Sequence, residues 1–320
     1  MTDHGSAPGL VGWWAGLSPA AGAAVMATAI VSVGLHLTGH ENLSLAALAL
    51  GTLFWAALAA DFLIRLVSDL ARWEAEADTP PALTAVAATC VLGTRYALLG
   101  WTTLAVALLA LACVLWLVLL PSVLRHWGRR MPGGVFLVCV ATQGLAVLSG
   151  TLAPLLDVDW LARAALAAFC LGLVLYVAAF VRFDLTTVRS GAGDQWVAGG
   201  ALAISALAGS KLVAAPQLTG SLHDVLRTAA LVLLGLDLAC YLLLLAAEIR
   251  WPRLRYDVRR WATVFPMGMT AVATLSVATA AKVPWLEGPG KVLLWIAVAV
   301  WAAVCTGMGR SAARAVTGRP

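Results

Sequence analysis

Ten stretches of about 20 apolar residues follow one another along the chain with only short connections, and no other feature restricts its fold so severely. Each is long enough to cross roughly 30 Å of hydrocarbon as a helix, and in hydrocarbon every backbone N–H and C=O must be satisfied within the segment. They run approximately over residues 19–38, 43–66, 82–99, 101–121, 134–153, 158–181, 195–213, 224–249, 260–280 and 289–308. With 62% of 320 residues apolar, 12% charged and a mean hydropathy of +0.91, the chain lies far outside the range of soluble domains. The expectation is an all-α integral membrane protein of ten spanning helices. The division is a segment 1–18, a membrane domain 19–308 and a tail 309–320.

The net charge of +5 is informative by position. With the N-terminus inside and ten crossings, 15 of the 21 Lys and Arg residues fall on the inner side, including Arg255 and Arg319. The other six are Arg95, Arg163, Lys211, Arg227, Lys282 and Lys291. That asymmetry predicts a cell-membrane protein with both termini cytoplasmic. Residues 1–18 lack Lys and Arg, which argues against a cleaved signal peptide with a basic leading region. The run RWPRLRYDVRR between segments 8 and 9 is read as an inner-face anchor, and no nucleic-acid partner is expected. The six cysteines all fall within spans without metal-type spacing, and no cofactor or metal is expected.

The odd-numbered segments differ from the even ones. They carry or abut Pro19, Gly22 and Gly34; Pro81 and Gly93; Gly144, Gly150 and Pro154; Gly199, Gly200 and Gly209; and Pro266 with Gly268. Small residues permit close helix approach, and helix breakers are tolerated where backbone lines a cavity. The odd segments are therefore expected to form an inner ring around a central pore, and the Leu-rich even ones an outer ring. The unit is a helical hairpin used five times. Segment 9, WATVFPMGMTAVATLSVA, is the extreme case: Pro266 removes a backbone donor and predicts a kink. Candidate lining residues are Gly22, Thr28 and Ser32, then Gln143, Gly200, Pro266, Gly268, Thr270 and Thr274. For Thr28 and Ser32, close packing is an equal reading; for Gln143, the alternatives are a bond across helices or an amide offered to a solute.

Four segments carry a family resemblance. VMATAIVSVG, VFLVCVATQGLAVLSGTLAP, DQWVAGGALAISALAGSKL and RRWATVFPMGMTAVATLSVA resemble, in that order, the tellurite-resistance/dicarboxylate transporter family, which includes the plant guard-cell slow anion channels. The resemblance implies five hairpins around a pore, assembly as a homotrimer, and passage of small inorganic or organic anions. It also implies a plug by a ninth-helix phenylalanine, a role that Phe265 in VFPMG fits. Ala29 stands where the family's MATGIVS pattern has glycine, a change expected to narrow the lumen by a methyl group.

Intramembrane charges complete the reading. Asp61 and Arg65 share one helical face and are read as a structural pair. Glu248 is expected to meet an inner-face arginine. Asp237, in the middle of segment 8, is either structural or a proton-coupling group, and Lys211 either draws anions to the outer mouth or snorkels. The leading function is anion conduction. The alternatives are a proton-coupled dicarboxylate carrier or an exporter of tellurite or sulfite, and, from another class, a membrane transferase. The Asp157 and Asp159 pair is the one acidic candidate for the last, and HExxH, GxSxG and phosphate-cradling motifs are missing.

Overall fold

In the computed structural model, residues 19–253 and 256–317 are described, with side chains through Arg314. Segment 1–18, His4, Arg255 and Arg319 lie outside the described residues. The long helices are α1 (Gly22–Leu37), α2 (Glu41–Ser68), α3 (Thr84–Leu98), α4 (Thr102–Arg125), α5 (Leu137–Leu156), α6 (Asp159–Arg182), α7 (Val197–Val213), α8 (Ser221–Arg250), α9 (Trp261–Ala280) and α10 (Glu287–Thr317). Two short helices, Leu70–Ala77 and Thr187–Ser190, lie in the connections. The last helix runs on past residue 308, to Thr317.

Nine helices among the described residues are long and apolar enough to cross a membrane. The exception is α3, whose 15 residues reach only about 22 Å. A 3-10 turn, Pro80–Leu83, leads into it and adds about 8 Å, bringing the pair close to bilayer thickness.

Packing sorts the helices into two layers. The spans containing α1, α5, α7 and α9 are 83 to 100% buried, whereas those containing α2, α4, α6, α8 and α10 are only 11 to 33% buried. Most of α3 is buried as well. The buried helices close a ring: α1 packs on α3, α3 on α5, α5 on α7, α7 on α9, and α9 on α1. Each exposed helix packs on the inner helix before it and on the next one round, so α2 bridges α1 and α3, and α10 bridges α9 and α1. Glycine and alanine permit this geometry because they let backbones approach. A Cβ at Gly268 would lie 2.8 Å from Ile30 Cγ2, and one at Gly22 would collide with Thr84 Oγ1.

Every inner helix opens with a 3-10 turn: Pro19–Ala21, Pro80–Leu83, Gly133–Phe136, Asp194–Trp196 and Val258–Arg260. These turns gather at one end of the ring, so the five inner helices run parallel. Their amino ends, each carrying partial positive charge, converge there. Asp257 caps the last of these turns, and its carboxyl is held below the usual range mainly by the Arg259 side chain.

Helix α9 continues from Trp261 to Ala280 with Pro266 inside it. The proline ring is accommodated from outside: Gly200 of α7 faces it, and a Cβ there would approach Pro266 Cγ to 2.8 Å.

Candidate functional site

A narrow cavity lies on the axis of the ring and draws its lining from all five inner helices. Its residues fall into one repeated register: Ile30, Val33 and Leu37 on α1; Val91, Thr94 and Leu98 on α3; Ile204, Leu207 and Lys211 on α7; Met269, Val272 and Ser276 on α9. Steps of three and four residues hold a side chain on one helical face, so each helix turns a single stripe inward. Gly144 and Val147 supply the α5 wall.

The cavity volume is about 10 Å³, roughly the space of one water. Thr94, Ser276 and Lys211 are its polar members, all toward the carboxyl end, where Leu37 is 39% exposed and the cavity reaches the surface. Lys211 is the charged residue of the lining. Among the described residues, no carboxylate or carbonyl accepts a hydrogen bond from its ammonium group.

Toward the amino end the cavity stops short of Phe265. Phe265 stands four residues before Met269 on the same stripe, one turn below the cavity, and is 1% exposed. The residues one turn below the lining on the other four helices are Met26, Ala87, Val140 and Gly200, all buried. Phe265 is the largest of that layer, and Gly200 contributes no side chain.

The hydroxyl and amide candidates do not line this cavity. Thr28 Oγ1 accepts from Trp301 Nε1 of α10 at 3.0 Å. Ser32 Oγ donates to the Ser44 carbonyl of α2 at 2.7 Å. Gln143 Nε2 donates to the Phe169 carbonyl of α6 at 3.1 Å, with its amide packed on Gly172. Thr270 Oγ1 donates to Asp237 Oδ1 of α8 at 3.1 Å, and Thr274 to its own helix at 2.7 Å. The physical reason is the ring's two environments: a buried polar group needs a partner, and the outer helices offer one where the dry axis does not. The same outward bond recurs twice more, from Trp55 Nε1 to Thr89 and from Trp116 Nε1 to Thr142, both at 2.9 Å. Gly22, Gly200, Pro266 and Gly268 are helix-packing positions. Ala29 is absent from the lining, and its backbone faces Gly51 of α2, so the extra methyl does not narrow the axis.

Several charged residues are held in ion pairs. Arg65 meets Asp61 and Glu76, each at 2.8 Å, and Glu248 meets Arg253 and Arg260, each at 2.8 Å. Asp237 is fully buried beside α9, and its Oδ2 has no partner among the described residues. Arg95 is fully buried near the carboxyl end, donating to Ser44 Oγ at 3.0 Å and to Glu41 Oε1 at 2.5 Å. Removing only one partner leaves a buried charge uncompensated, whereas an apolar replacement of the buried member leaves none. Glu41→Leu is therefore expected to lower the thermal midpoint more than Arg95→Met, a difference that a detergent melt of the two variants measures.

A family model described as "SLAC1: Voltage-dependent anion channel" matches residues 16–308. The chain belongs to this family, the one that its sequence resembles, and it is a multi-pass membrane protein of an anion-transporting class. Two relatives, uncharacterized membrane proteins MT1776 and Rv1735c from two strains of Mycobacterium tuberculosis, are each 33% identical over 114 residues. That match covers 33% of this chain and 57% of each relative.

Proposed function

We propose that the axis of the ring is an anion pathway, entered past Lys211 and closed by Phe265. The observation that carries this reading is the single uncompensated ammonium group in a cavity walled by all five inner helices. A bare anion in hydrocarbon costs tens of kcal/mol by Born estimates, so a route must supply positive potential. Lys211 supplies it at one mouth, and the five converging helix amino ends supply it at the other. Between them the lining is apolar, which keeps binding weak enough for release. Phe265 obstructs the neck by filling it and by dewetting it.

The same reading takes the ten helices as ten crossings in five hairpins, with residues 19–308 as the transport domain. Arg125, Arg182, Arg259 and Arg260 cluster at the amino end of the ring, and Lys211, Lys282 and Lys291 lie at the other. This supports a cell-membrane protein with residues 1–18 and the tail 309–320 cytoplasmic. Assembly as a homotrimer follows the family resemblance and uses the apolar outer helices.

Asp237 favours a second reading, a proton-coupled dicarboxylate or oxyanion carrier, because a partnerless carboxyl oxygen beside α9 is available to a proton. Flux of chloride, nitrate, malate and tellurite into liposomes, with and without a pH gradient, separates the two. Channel behaviour predicts monovalent flux indifferent to the gradient and unchanged in form by Asp237→Asn. Saturable malate or tellurite flux that needs the gradient and loses that need in Asp237→Asn would replace the channel reading with the carrier.

A further inference from the structure

Apart from the axial cavity, the structure holds a larger one of about 280 Å³ outside the ring. It sits between the outer helices α2 and α4, with α3 and the start of α1 as its floor and the short helix Leu70–Ala77 against its polar end. Its walls are apolar and aromatic, formed by side chains such as Trp55, Leu58, Phe62 and Leu115. Its size is close to that of small-molecule sites, and anion conduction makes no use of it.

Three features specify the occupant. Leu63 and Leu111 belong to the lining yet are 58% and 39% exposed, so the cavity opens sideways onto the exposed apolar surface of the outer helices. At its polar end Asp61, Arg65, Glu76 and Arg72 bind one another at 2.8 to 2.9 Å, two acids against two bases. That rim neither demands nor repels a charged headgroup. The two tryptophans of the lining differ: Trp55 Nε1 donates to Thr89 at 2.9 Å, whereas Trp73 Nε1 is buried with no acceptor among the described residues. Trp73 also packs its ring edge-on against Phe62. A buried N–H without a partner is unfavourable, and an acceptor arriving from the bilayer would satisfy it.

We infer that this cleft holds one acyl chain of a bilayer phospholipid, with an ester carbonyl of that lipid accepting a hydrogen bond from Trp73 Nε1. The chain fills the apolar walls, the carbonyl lies at the depth of the indole, and the headgroup stays at the balanced rim. The inference does not depend on what the axis conducts.

The full-length protein in nanodiscs doped with a phosphatidylcholine carrying a diazirine on its acyl chain tests this by photolabelling and peptide mapping. Labelling is expected to concentrate on Leu58, Phe62 and Leu111 above the level on the outward residues Val177 and Val181 of α6, and to disappear in Ala59→Trp, which fills the cleft from a half-exposed position. Trp73→Phe keeps the ring contact and removes the donor, so lipid should be lost about fivefold faster on delipidation, the equivalent of one hydrogen bond. Phosphatidylglycerol carrying the same probe should label equally. Cleft labelling no higher than on α6, or labelling unaltered in Ala59→Trp, would overturn the inference. If Ala59→Trp fails to fold, an unchanged rate of lipid loss in Trp73→Phe does so instead.

Discussion

Phe265→Ala, reconstituted in liposomes, is expected to pass anions at least about tenfold faster than the parent chain, which corresponds to roughly 1.4 kcal/mol removed from the barrier. The benzyl group is 1% exposed and stands one turn below the apolar lining, in a layer otherwise made of Met26, Ala87, Val140 and Gly200. Truncating it removes the largest side chain at that level and leaves space that Ala87, Val140 and Gly200 are too small to refill. Phe265→Leu, which keeps part of the volume, falls between the two. Truncation of a buried Phe costs about 3–5 kcal/mol in a well-packed core, so a thermal melt accompanies the flux assay. Flux equal to the parent's in a folded Phe265→Ala would remove Phe265 from the pathway and make it a packing residue of α9.

Lys211→Gln has the second large effect and the opposite sign. An anion about 4 Å from a unit positive charge gains about 4 kcal/mol at an effective dielectric near 20, and retained hydration lowers that figure. A rise of about tenfold in the half-saturating anion concentration is therefore expected at low salt, with restoration by Lys211→Arg. The effect should shrink as ionic strength increases, because the mouth of the cavity is open to screening. Unchanged concentration dependence in Lys211→Gln would show that the ammonium group snorkels away from the passing ion.

The layering of the fold was readable from composition alone, because small residues and helix breakers concentrate in alternate segments and those segments became the buried ring. The pairing of Asp61 with Arg65 and the partners of Glu248 were readable for a similar reason: charge at a membrane rim must be paired. The lining was not. Thr28, Ser32, Gln143 and Thr270 stand out as polar in apolar helices, a pattern that fits a solute-facing wall and, for Thr28, Ser32 and Gln143, equally a contact between helices. The structure directs all four at outer helices, where they bond Trp301, Ser44, Phe169 and Asp237, while Gln143 Oε1 has no partner among the described residues. The stripe that lines the axial cavity is mostly Ile, Val, Leu and Met, indistinguishable by type from residues of the exposed outer helices. One signal was available: of the two cations within the inner segments, Arg95 and Lys211, the second lines the cavity, and counting back from it by four and three residues gives Leu207 and Ile204. At Pro266 the sequence did not reveal the neighbour: the helix continues through the proline, and Gly200 of α7 leaves room for its ring.

The five parallel amino-end turns have a further consequence for how such a ring can diversify. Each hairpin returns the chain to the same face, so the units are related by rotation about the pathway itself, unlike inverted repeats, which place their axis in the membrane plane. At any depth the axis then meets five interchangeable positions, one per unit. At the neck these hold Met, Ala, Val, Gly and Phe, and only one of the five is bulky. On the proposed reading, closure is a property of a layer, and an obstructing side chain could be carried by any of the five units without altering the scaffold that holds it.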